Sequence, residues 1–477
     1  MATHHDPITG IPAFHYLSET DDRTPLFTFT IPSSIARVMT VEGTERPDIA
    51  FGFLMMSLSY WIELLVLVFA MMSLGAFVGL LLHHAVIKPK QEGTTKAYLV
   101  GWGIVLPFWS VFSFLVVEIF DARNMIFKFM MGCFTVVYFF RTIETICGFS
   151  PEYVKGSASD FCFYYATIPI MARIKAQKAR PPQKKTREDG TNATTNDDGD
   201  SDLITHNGNI GDQIPCTSTK ILKHFVTFTF LLLALGLLQS ILSPFLDFAL
   251  FRMESSNEDV ASFCAKESCF TWRLYANSAI QAFLLQMYLT TYLEALTFLF
   301  TAFTGYEAEP VMDNPLLASQ SPSEFWGRRW NLLVHTVLKN GVYKPIRKTC
   351  SSKTAAVIST FLASGIFHEW LLLMVFPNRF VGGNQHHDGS EKNIYRLEFG
   401  GTTIFFLWQA MLIGFEMTLG KSQLFQRISR WVPRPLKTAF VVGTGIPLAH
   451  FFLEPYVRSD FFRHGAPGLP MVILIPK

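Results

Sequence analysis

The sequence predicts an all-α polytopic membrane protein with about eight transmembrane helices, within a range of roughly six to ten. Of its 477 residues, 49% are hydrophobic, only 16% are charged, and 46 are phenylalanine. A soluble domain carries about a quarter charged residues, and one compact core does not need so many phenylalanines. The surplus apolar side chains are therefore expected to face lipid.

The spans are predicted from apolar runs, because about 20 consecutive apolar residues cross a bilayer as a helix. The runs that qualify are Phe53 to Leu82, Tyr98 to Phe120, Met125 to Tyr138 with its flanks, Phe225 to Phe245, Ile280 to Phe303, Ala355 to Phe376, Thr402 to Leu419 and Ala439 to Leu453. The first run is long for one helix and short for two, so the number of crossings in 51–84 stays open. A weaker run, 161–171, suits a re-entrant or interfacial segment.

Basic segments give the orientation, since Lys and Arg concentrate in cytoplasmic loops. The basic segments are 173–187, 328–353 and 421–437, together with Lys88, Lys90 and Lys96. Alternation through the spans places all of them on one side, the cytoplasmic one. We expect a multi-pass protein of the endoplasmic reticulum membrane. The net charge of +2 gives no field that would attract nucleic acid.

The domain organisation follows from polarity. We predict a polar N-terminal extension over 1–50, an N-terminal transmembrane region over 51–175 and a disordered cytoplasmic loop over 176–220. A transmembrane core over 221–477 then contains an interfacial helix over 321–340.

Cysteine spacing excludes a zinc site of the usual kind, because none of the seven Cys forms a Cys-x-x-Cys pair. Cys264 and Cys269 share a predicted lumenal loop, where a disulfide and two free thiols are equally compatible with the sequence. The pair His368-Glu369 does not complete a helical zinc motif either, because Leu372 stands where the second His would be needed. We therefore expect no metal.

The segment 314–348 is too polar to span a membrane but carries strong helix signals. Ser321 suits the N-cap, Pro322 the first helical position and Glu324 a capping box, while Gly341 suits the stop. The apolar residues between them recur at helical spacing, which predicts a helix lying in the interface and anchored by Trp326 and Trp330. A plain connecting helix would show the same periodicity, but it would not need two Trp-containing clusters around Arg328 and Arg329 that end in Asn331.

The next span contains Ser364, His368 and Glu369 in an otherwise apolar run. Ionisable groups at that depth usually face a cavity or a partner, because a charged one costs up to about 3 kcal/mol. A neutral His could also be a satisfied structural residue. His450 with Glu454, and Glu63, Glu118 and Glu294, are further in-membrane groups, and we expect His450 and Glu454 to be structural.

These residues resemble the wax synthase branch of the membrane-bound O-acyltransferase family. The similarity covers 314–343, where the letters FWGRRWN look like the family signature, and resumes at 364–369, which looks like the segment around the family's active His. The resemblance implies a helical fold around an intramembrane reaction chamber, with His368 as the catalytic base and Asn331 as its partner. Glu369, Ser364, Trp326 and Trp330 would support them.

The resemblance also implies the substrates: an acyl-CoA from the cytosol, with no other cofactor, and a lipid alcohol from the membrane. A long-chain fatty alcohol, giving a wax ester, is the first expectation. Diacylglycerol, a sterol or a terpenoid that accepts an acetyl group are alternatives, and a proton-coupled transporter is an alternative of another class. A homo-oligomer remains open. Basic residues on the cytosolic side that could attract CoA phosphates, or that merely follow the topology, are Arg328, Arg329, Lys344, Arg347 and Lys348.

Overall fold

The structure is a computed structural model that describes residues 23–31, 48–56, 58–119, 125–167, 214–242, 248, 250–251, 272–376, 399–459, 461–464 and 470–475. Within these residues eight helices are long and apolar enough to cross a membrane, so the predicted polytopic helical architecture is confirmed. Their bounds are Ile62–Ile87, Thr95–Ile119, Met125–Ile146, Ser218–Gln239, Trp272–Thr304, Lys353–Val375, Gly401–Leu419 and Arg434–Arg458.

The helices are numbered along the chain, and several are continued by single π-helical turns. They are α1 (Leu58–Leu82), α2 (Thr95–Val100), α3 (Leu106–Ile119), α4 (Met125–Ile146), α5 (Glu152–Lys155), α6 (Ala158–Ala166), α7 (Ser218–Leu242), α8 (Trp272–Thr304), α9 (Pro315–Ala318), α10 (Pro322–Glu324), α11 (Leu332–Leu338), α12 (Lys344–Cys350), α13 (Lys353–Val375), α14 (Gly401–Leu419), α15 (Gln423–Trp431), α16 (Arg434–Gly445), α17 (Ala449–Arg458) and α18 (Phe461–His464). The π turns are His83–Ile87, Gly101–Val105, Phe325–Arg329 and Lys339–Tyr343. A 3-10 turn, Ile446–Leu448, joins α16 to α17.

The first apolar run crosses once. Its opening residues belong to a strand, β2 (Asp48–Met56), and the span proper is α1 with the π turn that follows it. The run was too long for one helix because it joins two different elements.

A small antiparallel sheet, which the sequence did not predict, pairs the two ends of the chain. β1 (Arg23–Ile31), inside the predicted extension, pairs with β2, and β2 pairs with β3 (Pro470–Ile475). Eight spans are an even number, so the segments before the first and after the last lie on the same side of the bundle. The same alternation keeps the basic loops together on the opposite side.

The predicted single interfacial helix over 321–340 is wrong. The segment forms α10, a π turn, an extended Trp330 and then α11. Asn331 adopts a left-handed conformation with φ 37°, which no helix interior accommodates. The periodicity was real, but this one residue divides the helix into two.

A buried polar network fixes α6 against α4. The Arg141 guanidinium donates to the carbonyl oxygens of Tyr164, Tyr165 and Thr167. These carbonyls lie at the C-terminal end of α6, where the helix itself leaves them without partners. The Tyr165 hydroxyl in turn accepts from the Trp109 indole, 3.0 Å away. The described part of the weaker apolar run, up to Thr167, is therefore a packed helix with its C-terminal cap.

Helix α4 also supports the second half of the protein. It packs against α13 and against the π turn Lys339–Tyr343. Gly341 approaches α4 so closely that a Cβ atom there would lie 2.8 Å from the Phe140 carbonyl oxygen. This contact links the N-terminal helices to the Trp-rich segment, defined here as residues 320–343.

Three predicted features fall outside the described residues: the loop with Cys264 and Cys269, whose state as a disulfide or as two free thiols stays open, most of the extension 1–50, and residues 176–213 of the predicted loop. At the end of that loop, α7 already begins at Ser218, and Pro215 forms a β-bridge with Tyr306.

Gly341→Ala tests the contact between α4 and the π turn. The added methyl group meets backbone atoms that cannot move alone, so we expect the detergent-solubilised protein to melt several degrees lower, a loss of about 1–3 kcal/mol. Gly443→Ala in α16 is the control, because nothing lies within 4 Å of its added Cβ. Equal melting temperatures for both variants would contradict the close approach.

Candidate functional site

The imidazole of His368 is held in one orientation by its own helix. Its Nδ1 lies 2.7 Å from the carbonyl oxygen of Ser364, one turn earlier in α13. A carbonyl only accepts, so Nδ1 carries the proton, and in the neutral ring Nε2 keeps the lone pair. No hydrogen-bond partner for Nε2 occurs among the described residues. His368 therefore presents a free basic nitrogen.

Aromatic rings surround this imidazole. Its centroid lies 4.4 Å from the ring of Phe367, 4.8 Å from Phe406 and 5.3 Å from Phe452. These rings exclude water from three directions while adding no charge. The surroundings favour the neutral imidazole that a general base requires.

The carboxylate of Glu369, the residue after His368, makes a hydrogen bond to the neighbouring helix. Its side chain is buried, at 4% exposure, and its Oε1 accepts from the backbone N–H of Thr403, 3.1 Å away. Thr403 lies in the first turn of α14, where N–H groups lack intrahelical partners and favour a carboxylate. Gly365 makes the approach possible, because a Cβ there would lie 2.7 Å from the Thr403 Cα. Glu369 therefore ties α13 to α14.

The Trp-rich segment is fixed by its own capping groups. The Ser321 hydroxyl accepts from the Glu324 N–H, so the predicted N-cap is present. Glu324 Oε2 accepts from the Gln320 N–H at 2.8 Å and not from the Ser321 N–H that a capping box requires. Burial alone would raise the pKa of Glu324, but the Gln320 hydrogen bond and the Arg329 ion pair lower it below its usual range. The carboxylate stays charged and holds Arg329 in place.

Arg329 has its contacts within this segment. Besides Glu324, it lies 2.7 Å from a carboxylate oxygen of Asp313. The predicted CoA contact of Arg329 is therefore less favoured by the geometry than a structural role. The π turn and the segment around Asp313, which is paired with Arg329, together set the positions of Trp330 and Asn331.

The tryptophans join this segment to His368. Trp326 and Trp330 contact each other edge to face at 5.9 Å, and Trp326 lies 5.7 Å from the ring of Phe406. Phe406 is the same ring that contacts His368. The two parts of the predicted site therefore belong to one aromatic cluster, defined as Phe325, Trp326, Trp330, Phe361, Phe406, Phe452 and His368.

Asn331 borders this cluster without bonding to His368. Its Oδ1 accepts weakly from the Val334 N–H, at 3.4 Å, and so caps α11. No hydrogen bond joins Asn331 to His368 among the described residues. The predicted partnership stays a prediction, and what the structure shows is a side-chain amide whose Nδ2 group is left to donate.

Two polar residues of α14 were missed by the sequence reasoning. Gln409 Oε1 accepts from the Trp326 indole N–H at 3.2 Å, and the Glu416 carboxylate accepts from the N–H and hydroxyl of Ser323, at 2.8 and 2.6 Å. Together with Thr403 and Phe406 they follow a spacing of three, three and seven residues along one helix face. A search for polar residues at helical spacing within an apolar span would have found them.

A cavity of about 80 Å³ lies beside the cluster, on the side of Gln409. It is too small for a whole acyl-CoA, and its described walls are apolar except for the two indoles and the Gln409 amide. The lining residues are Ala282, Leu285, Leu316, Pro322, Phe325, Trp326, Trp330, Phe405, Gln409, Leu412, Val441, Val442, Gly445, Ile446, Ala449, Phe452 and Leu453.

The orientation of the Gln409 amide is fixed by its partner. An indole N–H can only donate, so the atom it meets must be the amide oxygen. The Nε2 group is then left without a partner among the described residues, although Gln409 is buried. An unmatched donor in such surroundings favours a ligand oxygen.

Two of the other in-membrane carboxylates have a side-chain partner. Glu454 pairs with Arg458 at 2.9 Å, and Glu294 with His224 at 2.6 Å. His335 in α11 has a pKa lowered to about 4 by burial and by Lys339, so it is neutral at neutral pH. Among the described residues no group of three His, Cys, Asp or Glu side chains could hold a metal ion.

Residues 308–383 match the model of the Membrane bound O-acyl transferase family. A probable long-chain-alcohol O-fatty-acyltransferase 9 of Arabidopsis thaliana is 31% identical over 172 residues, which is 34% of this chain and 44% of that protein. The probable long-chain-alcohol O-fatty-acyltransferase 6 of the same organism is 32% identical over 201 residues, which is 38% of this chain and 53% of the relative.

An acyl-CoA–sterol O-acyltransferase 1 of Arabidopsis thaliana is 42% identical over 74 residues, covering 14% of this chain and 21% of the relative. The chain thus spans about half the length of the first two relatives. The matched segment contains the Trp-rich segment, Asn331 and His368. The resemblance to the wax synthase branch is confirmed by these matches.

Glu369→Leu tests the tie between α13 and α14. The variant leaves the Thr403 N–H buried without an acceptor, so we expect a loss of about 1–3 kcal/mol in the free energy of unfolding. Thermal or denaturant unfolding of the solubilised protein measures it. Glu118→Leu is the control, because Glu118 is exposed on α3. A Glu369 variant as stable as the control would show that the tie contributes nothing.

Proposed function

We propose that this chain, which resembles the wax synthase branch of the membrane-bound O-acyltransferases, transfers an acyl group from acyl-CoA to the hydroxyl of a long-chain alcohol within the bilayer. The observation that supports it most is His368: its tautomer is fixed, its Nε2 is free, and an aromatic cluster joins it to the FWGRRWN segment. The matches with alcohol acyltransferases favour this chemistry over the proton-coupled carrier.

In the proposed reaction His368 Nε2 accepts the hydroxyl proton while the alcohol oxygen attacks the thioester carbonyl carbon. The tetrahedral intermediate then collapses, the carbon–sulfur bond breaks, and the imidazolium returns the proton to the departing CoA sulfur. Acid–base assistance of this kind is worth about 10²- to 10⁴-fold in rate. Because Nδ1 keeps its proton on the Ser364 carbonyl, the ring can cycle without turning.

Asn331 is the proposed partner of the base. Its oxygen is occupied by the cap of α11, so its amide N–H group is what it can offer to the reaction. A neutral donor of this kind can stabilise the oxyanion of the intermediate or hold the substrate carbonyl.

The substrates are proposed from the two sides of the site. The apolar cavity suits part of a long hydrocarbon chain, with Gln409 Nε2 donating to a substrate oxygen. CoA phosphates would meet basic side chains on the cytosolic side: exposed Arg328 and Lys348, together with Lys344 and Arg347. The membrane would be that of the endoplasmic reticulum.

A sterol acceptor is the second candidate. It is favoured by the match with the acyl-CoA–sterol acyltransferase, which is the most similar in percentage terms of the three relatives although the shortest in coverage. The same base and the same donor would serve it, and only the acceptor would differ.

His368→Ala tests the function directly. Microsomes from cells that lack neutral-lipid synthesis would receive radiolabelled acyl-CoA with a fatty alcohol, a sterol or diacylglycerol, and the esters would be resolved. The intact chain is expected to form wax ester, and the variant to lose at least about 100-fold in rate because the base is gone.

His84→Gln is the matched control, since His84 is exposed and lies in the π turn that follows α1. Membrane insertion of all three proteins is checked by immunoblot. Full activity of His368→Ala would remove His368 from the mechanism. An intact chain that makes only sterol ester would assign the second acceptor.

Gln409→Leu tests the role of the amide in the cavity. Losing one hydrogen bond to substrate is expected to lower kcat/KM by about tenfold, while Leu412→Met, on the same wall, changes little. Trp326→Phe removes the indole donor but leaves the amide, so it separates the two contributions. If Trp326→Phe lowers kcat/KM as much as Gln409→Leu, the amide acts on the indole and not on substrate.

A further inference from the structure

Helix α15, the segment between the last two spans, has no partner in the described part of the chain. It runs from Gln423 to Trp431, begins at the N-cap Ser422, whose hydroxyl accepts from the Phe425 N–H, and contains no buried residue. A helix of nine residues is not stable alone in water, because its nucleation is unfavourable and few hydrogen bonds follow. Something outside the helix must stabilise it.

The side chains of α15 divide into two faces. Its large apolar residues recur at spacings of one, three and three, which places them on one side. All four are exposed: Leu424 at 67%, Phe425 at 41%, Ile428 at 53% and Trp431 at 84%. Arg427 borders this face, and Arg430 lies on the opposite one. The apolar face is therefore large for so short a helix and lacks a covering surface.

The charge around α15 has one sign. The stretch 420–437 contains five basic residues and no acidic one: Lys421, Arg427, Arg430, Arg434 and Lys437. None of them forms an ion pair with another residue in the ranges that the structure describes. A surface that covers α15 should therefore have an apolar layer that meets the apolar face and an adjacent anionic layer that meets the basic side chains.

The position of α15 identifies this surface. Three residues, 420–422, separate it from the end of α14, and two, 432–433, separate it from the start of α16. Three residues reach at most about 10 Å, so α15 cannot leave the level at which two spans emerge. A basic loop on this side faces the cytoplasm. The surface within reach is the cytoplasmic leaflet of the protein's own bilayer.

We propose that α15 is an in-plane anchor that binds anionic phospholipids of the cytoplasmic leaflet. Its apolar face lies among the upper acyl chains, and Arg427, with Arg430 and the flanking cations, binds lipid phosphate groups. The anchor joins the two helices, α14 and α16, whose side chains line the cavity beside Gln409. This binding does not depend on the proposed acyl transfer.

The test uses the full chain in nanodiscs of phosphatidylcholine alone or with roughly one third phosphatidylserine. Hydrogen–deuterium exchange of the amides in 421–432 is followed by mass spectrometry. Because each arginine near an anionic surface contributes about fivefold to binding, we expect at least about fivefold slower exchange with phosphatidylserine. Higher salt should reduce this difference.

Variants identify the groups responsible. Arg427→Gln with Arg430→Gln should abolish the effect of phosphatidylserine, and Arg427→Lys with Arg430→Lys should keep most of it. Gln423→Ala, on the polar face, should keep all of it. Equal exchange in both lipid mixtures would overturn the proposal. So would protection that persists in the double Gln variant, since a second copy or another protein would then cover the helix.

Discussion

The contact between α13 and α14 is the constraint on which the site depends. Gly365 lets the two backbones meet, and the Glu369 carboxylate satisfies an N–H group at the start of α14. In a bilayer no water can take over that role, so an unsatisfied group there would be expensive. The same approach brings the ring of Phe406, in α14, against His368, which lies one residue before Glu369.

Helix α14 then connects His368 to the Trp-rich segment. One face of it carries the acceptor for Trp326 and the carboxylate that holds Ser323, so the segment is fixed at two points a few turns from His368. These two hydrogen-bonding roles explain why polar residues occur in an apolar span. Gln409 and Glu416 each satisfy a donor from a segment that is not itself a membrane helix.

A different constraint, the even number of spans, brings the two ends of the chain together. An even number of spans returns the chain to its starting side, and the sheet of β1, β2 and β3 makes use of this proximity. On the other side the basic loops gather, including the Trp-rich segment and α15. The protein therefore separates a side with a small sheet from a side with cations and the Trp-rich segment.

The sequence by itself determined the eight spans, the cap at Ser321 and the residues of the matched segment. Hydropathy and capping are local properties, so each can be read from neighbouring residues. What it could not determine was how one span meets another. The Trp326–Gln409 hydrogen bond and the tie from Glu369 to Thr403 join segments far apart in the chain.

Those contacts depend on which helix faces approach each other, and a hydrophobic run in lipid carries little such information, because every face of it is apolar. For the same reason the first run appeared continuous, although it contains both a strand and a span. The tertiary structure decided the rest: it divided the predicted interfacial helix at Asn331, placed Trp326 and His368 around the ring of Phe406, and left the apolar face of α15 exposed.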